Sequence, residues 1–117
     1  MIKLKKIEGD ARKRLNTLKS VVKNVPELEF MYLFGSFAKG LENELSDIDI
    51  AFHLSHNKDN FERVEAILYD KISSHLKTDE ITFISLNNAP LKIIHKIIEE
   101  GVLLYKKDKK SVLDFIE

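Results

Sequence analysis

Two aspartates stand two residues apart inside an apolar run, Ser46-Asp47-Ile48-Asp49-Ile50-Ala51-Phe52, and this stretch restricts the possible folds more than any other in the chain. The β-branched and aromatic residues around them read as a strand from Asp47 to Leu54. Alternation along a strand puts both carboxylates on one face of a sheet. Ile48, Ile50 and Phe52 fall on the other, where they should bury against helices. Paired like charges repel, so a purely structural role would require two basic partners, whereas a bound cation meets the need directly. Upstream, Leu28 to Phe34 reads as a first strand that runs into Gly35-Ser36-Phe37-Ala38-Lys39-Gly40. Gly35 has no Cβ, so the chain can turn tightly there and approach a ligand closely. Ser36 falls where a helix would begin, as an N-cap beside N–H groups that favour an anion. Lys39 follows, either as a compact cation for a phosphate or as an ordinary surface lysine. A phosphate-cradling turn beside paired acids is the layout expected where metal ions bridge a nucleotide's phosphates, and it points to nucleotidyl transfer.

Gly-Ser, a spacer with a second glycine, then Ser-Asp-Ile-Asp resembles the signature of the DNA polymerase β-type nucleotidyltransferase superfamily. More narrowly, the chain is similar to the minimal nucleotidyltransferases, small prokaryotic proteins often paired with a HEPN-domain partner in toxin–antitoxin modules. Leu86-Asn87-Asn88-Ala89-Pro90 and Glu100-Gly101-Val102-Leu103-Leu104-Tyr105 resemble that family's later segments. The resemblance implies an α/β (α+β) fold, a small mixed twisted sheet with helices packed mainly on one face. It also implies a two-metal Mg²⁺ site on Asp47 and Asp49, with Gly35, Ser36 and Lys39 at the phosphates. The substrate would be ATP, and AMP would pass to a tyrosine hydroxyl of a HEPN toxin, silencing it.

One position departs from the family pattern. The third acid of the family, five residues before the asparagine of the Leu-Asn-x-Ala-Pro segment, falls on Thr82. A hydroxyl is a poor substitute for a carboxylate in gripping a divalent ion or accepting a proton. Glu80, two residues earlier on the same strand face, is the candidate catalytic replacement, while Asp79 has the wrong parity unless a bulge intervenes. Thr82 therefore also supports a rival reading, an antitoxin of weakened or lost chemistry that neutralises its partner by forming a complex. A transferase acting on a small molecule would lack a second domain to shape the acceptor pocket.

With 117 residues the chain is expected to form one domain. Residues 1–27 would be an N-terminal helix, 28–105 the catalytic core, and 106–117 a basic turn and short tail. Its 19 basic and 19 acidic residues cancel, which removes a domain-wide electrostatic case for long nucleic acid. The absence of cysteine excludes disulfides and thiolate metal sites. No apolar run approaches membrane-spanning length, so the expected location is cytoplasmic, away from membranes.

In chain order, Ile2 to Val25 reads as one amphipathic helix, starting at about Asp10 if Gly9 interrupts it. Glu42 and Glu44 are expected to be solvated loop residues. His53 and His56 straddle a strand end and do not share a face. A helix should run from Phe61 to about Leu76. Ile81 to Leu86, apolar on both faces, reads as a third, central strand. Ala89 to Glu100 forms a further helix with Pro90 in its first turn and Gly101 as its stop. Val102 to Tyr105 closes the sheet. The apolar tail, with Val112, Leu113, Phe115 and Ile116, either folds back or docks on a partner.

Overall fold

The register of the aspartate-bearing strand is set by what lies on its other face. Ile48, Ile50, Phe52 and Leu54 are all within 1% of full burial, and each contributes about 1.5–3 kcal/mol. A one-residue slip would expose all four and drive the aspartates into the core. The computed structural model describes residues 11–43, 46–55 and 58–116. In it this strand is β2 (Ile48–Leu54), paired antiparallel with β1 (Leu28–Phe34) and parallel with β3 (Ile81–Ser85). A fourth strand, β4 (Val102–Lys106), runs antiparallel along the other side of β1, giving the order β3-β2-β1-β4.

The larger core lies beneath α1 (Ala11–Asn16), α2 (Lys19–Val22) and α4 (Phe61–Leu76), where Leu15, Leu18 and Val22 meet Val64, Leu68, Ile72 and Leu76. Two further helices, α5 (Leu91–Glu100) and α6 (Lys109–Ile116), cover the opposite face over a smaller cluster of Phe30, Tyr32, Ala51, Ile97 and Val112. Most helical packing thus falls on one face, and Asp47 and Asp49, sharing the parity of Ala51, belong to the other. A bulge in β1 makes this division possible. Its register with β2 shifts between Leu28 and Phe30, so Leu28 joins the larger core and Phe30 the smaller.

Several expectations need correction. The N-terminal helix breaks after Asn16, and its stretch before Ala11 lies outside the described residues. Thr17 N–H donates to Arg14 O at 3.3 Å and Leu18 N–H to Leu15 O at 3.2 Å. The Thr17 hydroxyl donates to the Lys13 and Arg14 carbonyls, a local bond that competes with the helix ladder. The second segment ends at Val22, short of Asn24 and Pro26. The strand at Ile81 is at the sheet edge, not its centre. Its apolar residues reflect α4 instead, since Phe83 stacks on Phe52 at 4.3 Å and meets Tyr69 edge-on at 5.6 Å. A parallel strand joined by a crossover helix is covered by that helix even at an edge. The tail folds back as α6, with Phe115 against Phe30 at 5.1 Å and His53 at 4.7 Å between ring centroids. His53 is accordingly a packed residue, its Nδ1 3.1 Å from Glu29 Oε1, while His56 lies outside the described residues. Among the described residues no helix is long and apolar enough to cross a membrane.

Candidate active site

Antiparallel pairing places Phe34, the last residue of β1, opposite Asp49 of β2. The chain must then turn away from the sheet, and it does so at Gly35, which adopts φ +69°. That left-handed conformation disfavours any side chain, but sterics add a second reason for glycine. A Cβ on Gly35 would overlap Asp49 Oδ2 and sit 3.0 Å from Asp49 Cγ. The carboxylate occupies the space where a side chain would be. The sequence pointed to a glycine where a ligand approaches closely; the group that approaches Gly35 in the structure is the protein's own carboxylate.

From Gly35 the chain forms α3 (Gly35–Lys39), a single short helix closed by Gly40 at φ +71°. Ser36 is inside its first turn, not at the N-cap, which is the extended Phe34. The Ser36 carbonyl accepts the N–H of Leu41 at 2.9 Å, and Phe37 anchors α3 in the larger core. Lys39 pairs with Glu100 at the end of α5, Nζ to Oε1 3.3 Å, so its ammonium would have to leave that partner to meet a phosphate.

Parallel pairing sets Thr82 of β3 beside Asp49, and its hydroxyl donates to Asp47 Oδ2 at 3.5 Å. Both aspartates are half-buried. Thr82 therefore stands beside the acidic pair, its hydroxyl at the outer limit of hydrogen-bond reach of Asp47. Sequence reasoning counted Thr82 only as a missing acid; counting the hydroxyl's own donor capacity would have found this contact. Glu80 precedes β3, and its main-chain carbonyl accepts the N–H of Ile48 at 3.0 Å. Among the described residues no three acidic, histidine or cysteine side chains are grouped to hold a metal ion.

Glu42, expected to be merely solvated, is bound to Arg12 of α1. Arg12 Nε donates to Glu42 Oε2 at 2.7 Å and Nη2 to Oε1 at 2.5 Å. The paired hydrogen bonds hold the Glu42 carboxyl below the usual carboxylate range and raise Arg12 above its own. No local sequence signal could have linked residues 30 positions apart.

The donor set suits a divalent cation that travels with phosphates. Two carboxylates on one sheet face are what Mg²⁺ takes from a protein when substrate oxygens and waters fill its remaining positions. Such an ion would also relieve the repulsion between them.

The family described as Polymerase beta, Nucleotidyltransferase matches residues 16–110. A Shewanella oneidensis protein named Protein adenylyltransferase MntA is 34% identical over 82 residues, 70% of this chain. The match spans 57% of that relative's length. A Methanocaldococcus jannaschii protein, provisionally named protein adenylyltransferase MJ1379, is 34% identical over 97 residues, covering 81% of this chain and 94% of its own. Among solved structures, one described as a toxin–antitoxin with AMP-PNP superposes with a TM-score of 0.66 at 26% identity, over 87% of this chain and 81% of that one.

Proposed function

Since this chain belongs to the polymerase beta nucleotidyltransferase family, we propose that it transfers AMP from ATP to a hydroxyl of a partner protein and acts thereby as an antitoxin. The acceptor in this reading is a tyrosine of a HEPN-domain toxin, and the setting is the cytoplasm. The observation that carries the proposal is the placement of Asp49 against the bare α-carbon of Gly35, with Asp47, the residue just before β2, near Thr82 of the neighbouring strand. It joins the acidic pair to the helix that bears Ser36. The name of the Shewanella relative and the AMP-PNP of the similar structure supply the nucleotide and the protein acceptor.

Asp47 and Asp49 would hold Mg²⁺, which when bound neutralises phosphate charge and polarises the phosphorus–oxygen bonds. Thr82 would stand beside this pair, its hydroxyl 3.5 Å from Asp47 Oδ2. Ser36 and the first-turn N–H groups of α3 would hold the β- and γ-phosphate oxygens, with Lys39 available once released from Glu100. The acceptor oxygen then attacks the α-phosphorus, forming one P–O bond while the bond to the β-phosphate oxygen breaks. Pyrophosphate leaves, and the hydroxyl proton passes to solvent or to Glu80 acting as base. Two carboxylates and a threonine give a site of lower charge than three acids would.

The test is calorimetric titration of ATP with Mg²⁺ or with chelator, on wild type and Asp49→Asn, alongside radiolabel transfer from ATP to the purified partner. Binding should require both the metal and Asp49, and label should appear on the partner. Equal affinity in all four titrations would remove the metal-site reading. Metal-dependent binding without transfer would favour the weakened antitoxin, which Thr82 keeps in contention.

A further inference from the structure

The guanidinium of Arg12 joins two segments that lie on either side of Gly40. Besides its fork on Glu42, Nη2 donates to the carbonyl of Phe37 at 2.8 Å, and its charge centre lies 5.8 Å from the Phe37 ring centroid. Phe37 is the residue after Ser36, in a helix too short to hold its own C-terminal carbonyls, and Arg12 satisfies one of them. Glu42 belongs to the connection that leads on to Asp47. Between them stands Gly40, at φ +71°, whose N–H closes α3 on the Ser36 carbonyl and where an added Cβ would meet nothing within 4 Å. Arg12 thus spans this glycine from a separate helix and grips the chain on both sides of it.

We propose that Arg12 is a positioning residue for nucleotidyl transfer, holding the Ser36 helix and Glu42, on the far side of Gly40, as one unit so that triphosphate and acidic pair meet in register. This rests on the function proposed above and concerns the organisation of the same site. Arg12 is half-exposed, and an exposed ion pair adds little to global stability. Its planar fork, however, fixes orientation as well as distance, which a lysine's single ammonium cannot do. A small misplacement of a substrate-holding element can cost a large factor in rate without loosening the fold.

The competing reading is that Arg12 contacts phosphate directly, and the two separate cleanly. Under the clasp, Arg12→Gln, Arg12→Lys and Glu42→Gln each lower kcat by roughly 10- to 100-fold, with the acceptor KM and the melting temperature nearly unchanged. The double variant Arg12→Gln/Glu42→Gln is no worse than either single one, because the two side chains act as one unit. A direct phosphate contact predicts instead that Arg12→Lys keeps most activity and that Glu42→Gln is neutral or faster; either result overturns the clasp. Amide chemical shifts of free wild type and Arg12→Gln give a readout independent of catalysis. The clasp requires the Ser36, Gly40 and Asp49 amides to move. Unmoved amides overturn it, whether or not wild type transfers label, whereas absent transfer with moved amides counts only against the proposed function.

Discussion

Gly35 and Gly40 offer a matched experiment, because they share a backbone conformation and differ in surroundings. Their φ values are +69° and +71°, so alanine at either position meets the same left-handed strain, roughly 1–2 kcal/mol. In a domain of about this size that lowers the melting temperature by about 4–8 °C per kcal/mol. Beyond that common loss the two variants part. The added methyl at Gly40 meets nothing within 4 Å, whereas at Gly35 it would overlap Asp49 Oδ2. The methyl can be accommodated by rotating Asp49 away from Asp47, at about 0.5–1.5 kcal/mol for an off-rotamer side chain. Displacing a metal ligand's support in this way typically weakens metal binding by roughly 10- to 100-fold. Melting curves and Mg²⁺-dependent ATP titrations on both variants should therefore show a somewhat larger destabilisation in Gly35→Ala, by about 0.5–1.5 kcal/mol, with affinity lost only in that variant. If the two bind nucleotide equally well, Gly35 is a turn residue and the contact with Asp49 has no bearing on the site.

Thr82→Asp should raise adenylate transfer, by up to roughly 100-fold if the new carboxylate serves as base, while Glu80→Gln should cut it by roughly 10²- to 10⁴-fold if Glu80 is the base; a silent Glu80→Gln would make that residue a bystander. Phe115→Ala should cost about 2 kcal/mol in chemical denaturation, less than a fully buried phenylalanine, because it strips α6 of its contact with Phe30 and His53. Leu113 and Ile116 are each 50% exposed on the outer side of α6, so Leu113→Asp/Ile116→Asp should keep stability yet weaken co-purification with the partner; an undiminished complex would move the interface elsewhere. The Glu42 carboxyl is held below its ordinary value of 4.5, so its pairing with Arg12 stabilises the fold above that pH and the contribution disappears as pH falls through the lower folded value. Stability profiles of wild type and Arg12→Gln should thus differ near neutrality by no more than the small offset of an exposed pair and converge in acid, and a gap persisting in strong acid would rule out this linkage.

Asp47 and Asp49 were legible as a shared-face pair because alternation is a local property, and the burial of Ile48, Ile50 and Phe52 follows from the same periodicity. The glycine at 35 and the order of strands and helices were legible for the same kind of reason, since a turn, a cap or an apolar stripe is encoded within a few residues. What sequence order could not encode is which side chains arrive from elsewhere. Thr82 reaches Asp47 only because β3 pairs in parallel with β2 in one particular register. Glu42 gains a partner because α1 packs on the same face as Phe37, which brings Arg12 across 30 positions of chain. The edge position of β3 was likewise invisible, since a strand covered by its crossover helix is as apolar as a central one. Local pattern thus placed the charged pair and its turn, while long-range packing chose the hydroxyl beside the pair and the cation that braces the turn. Contacts between distant segments depend on how whole faces fit together, and no short stretch of residues carries that information.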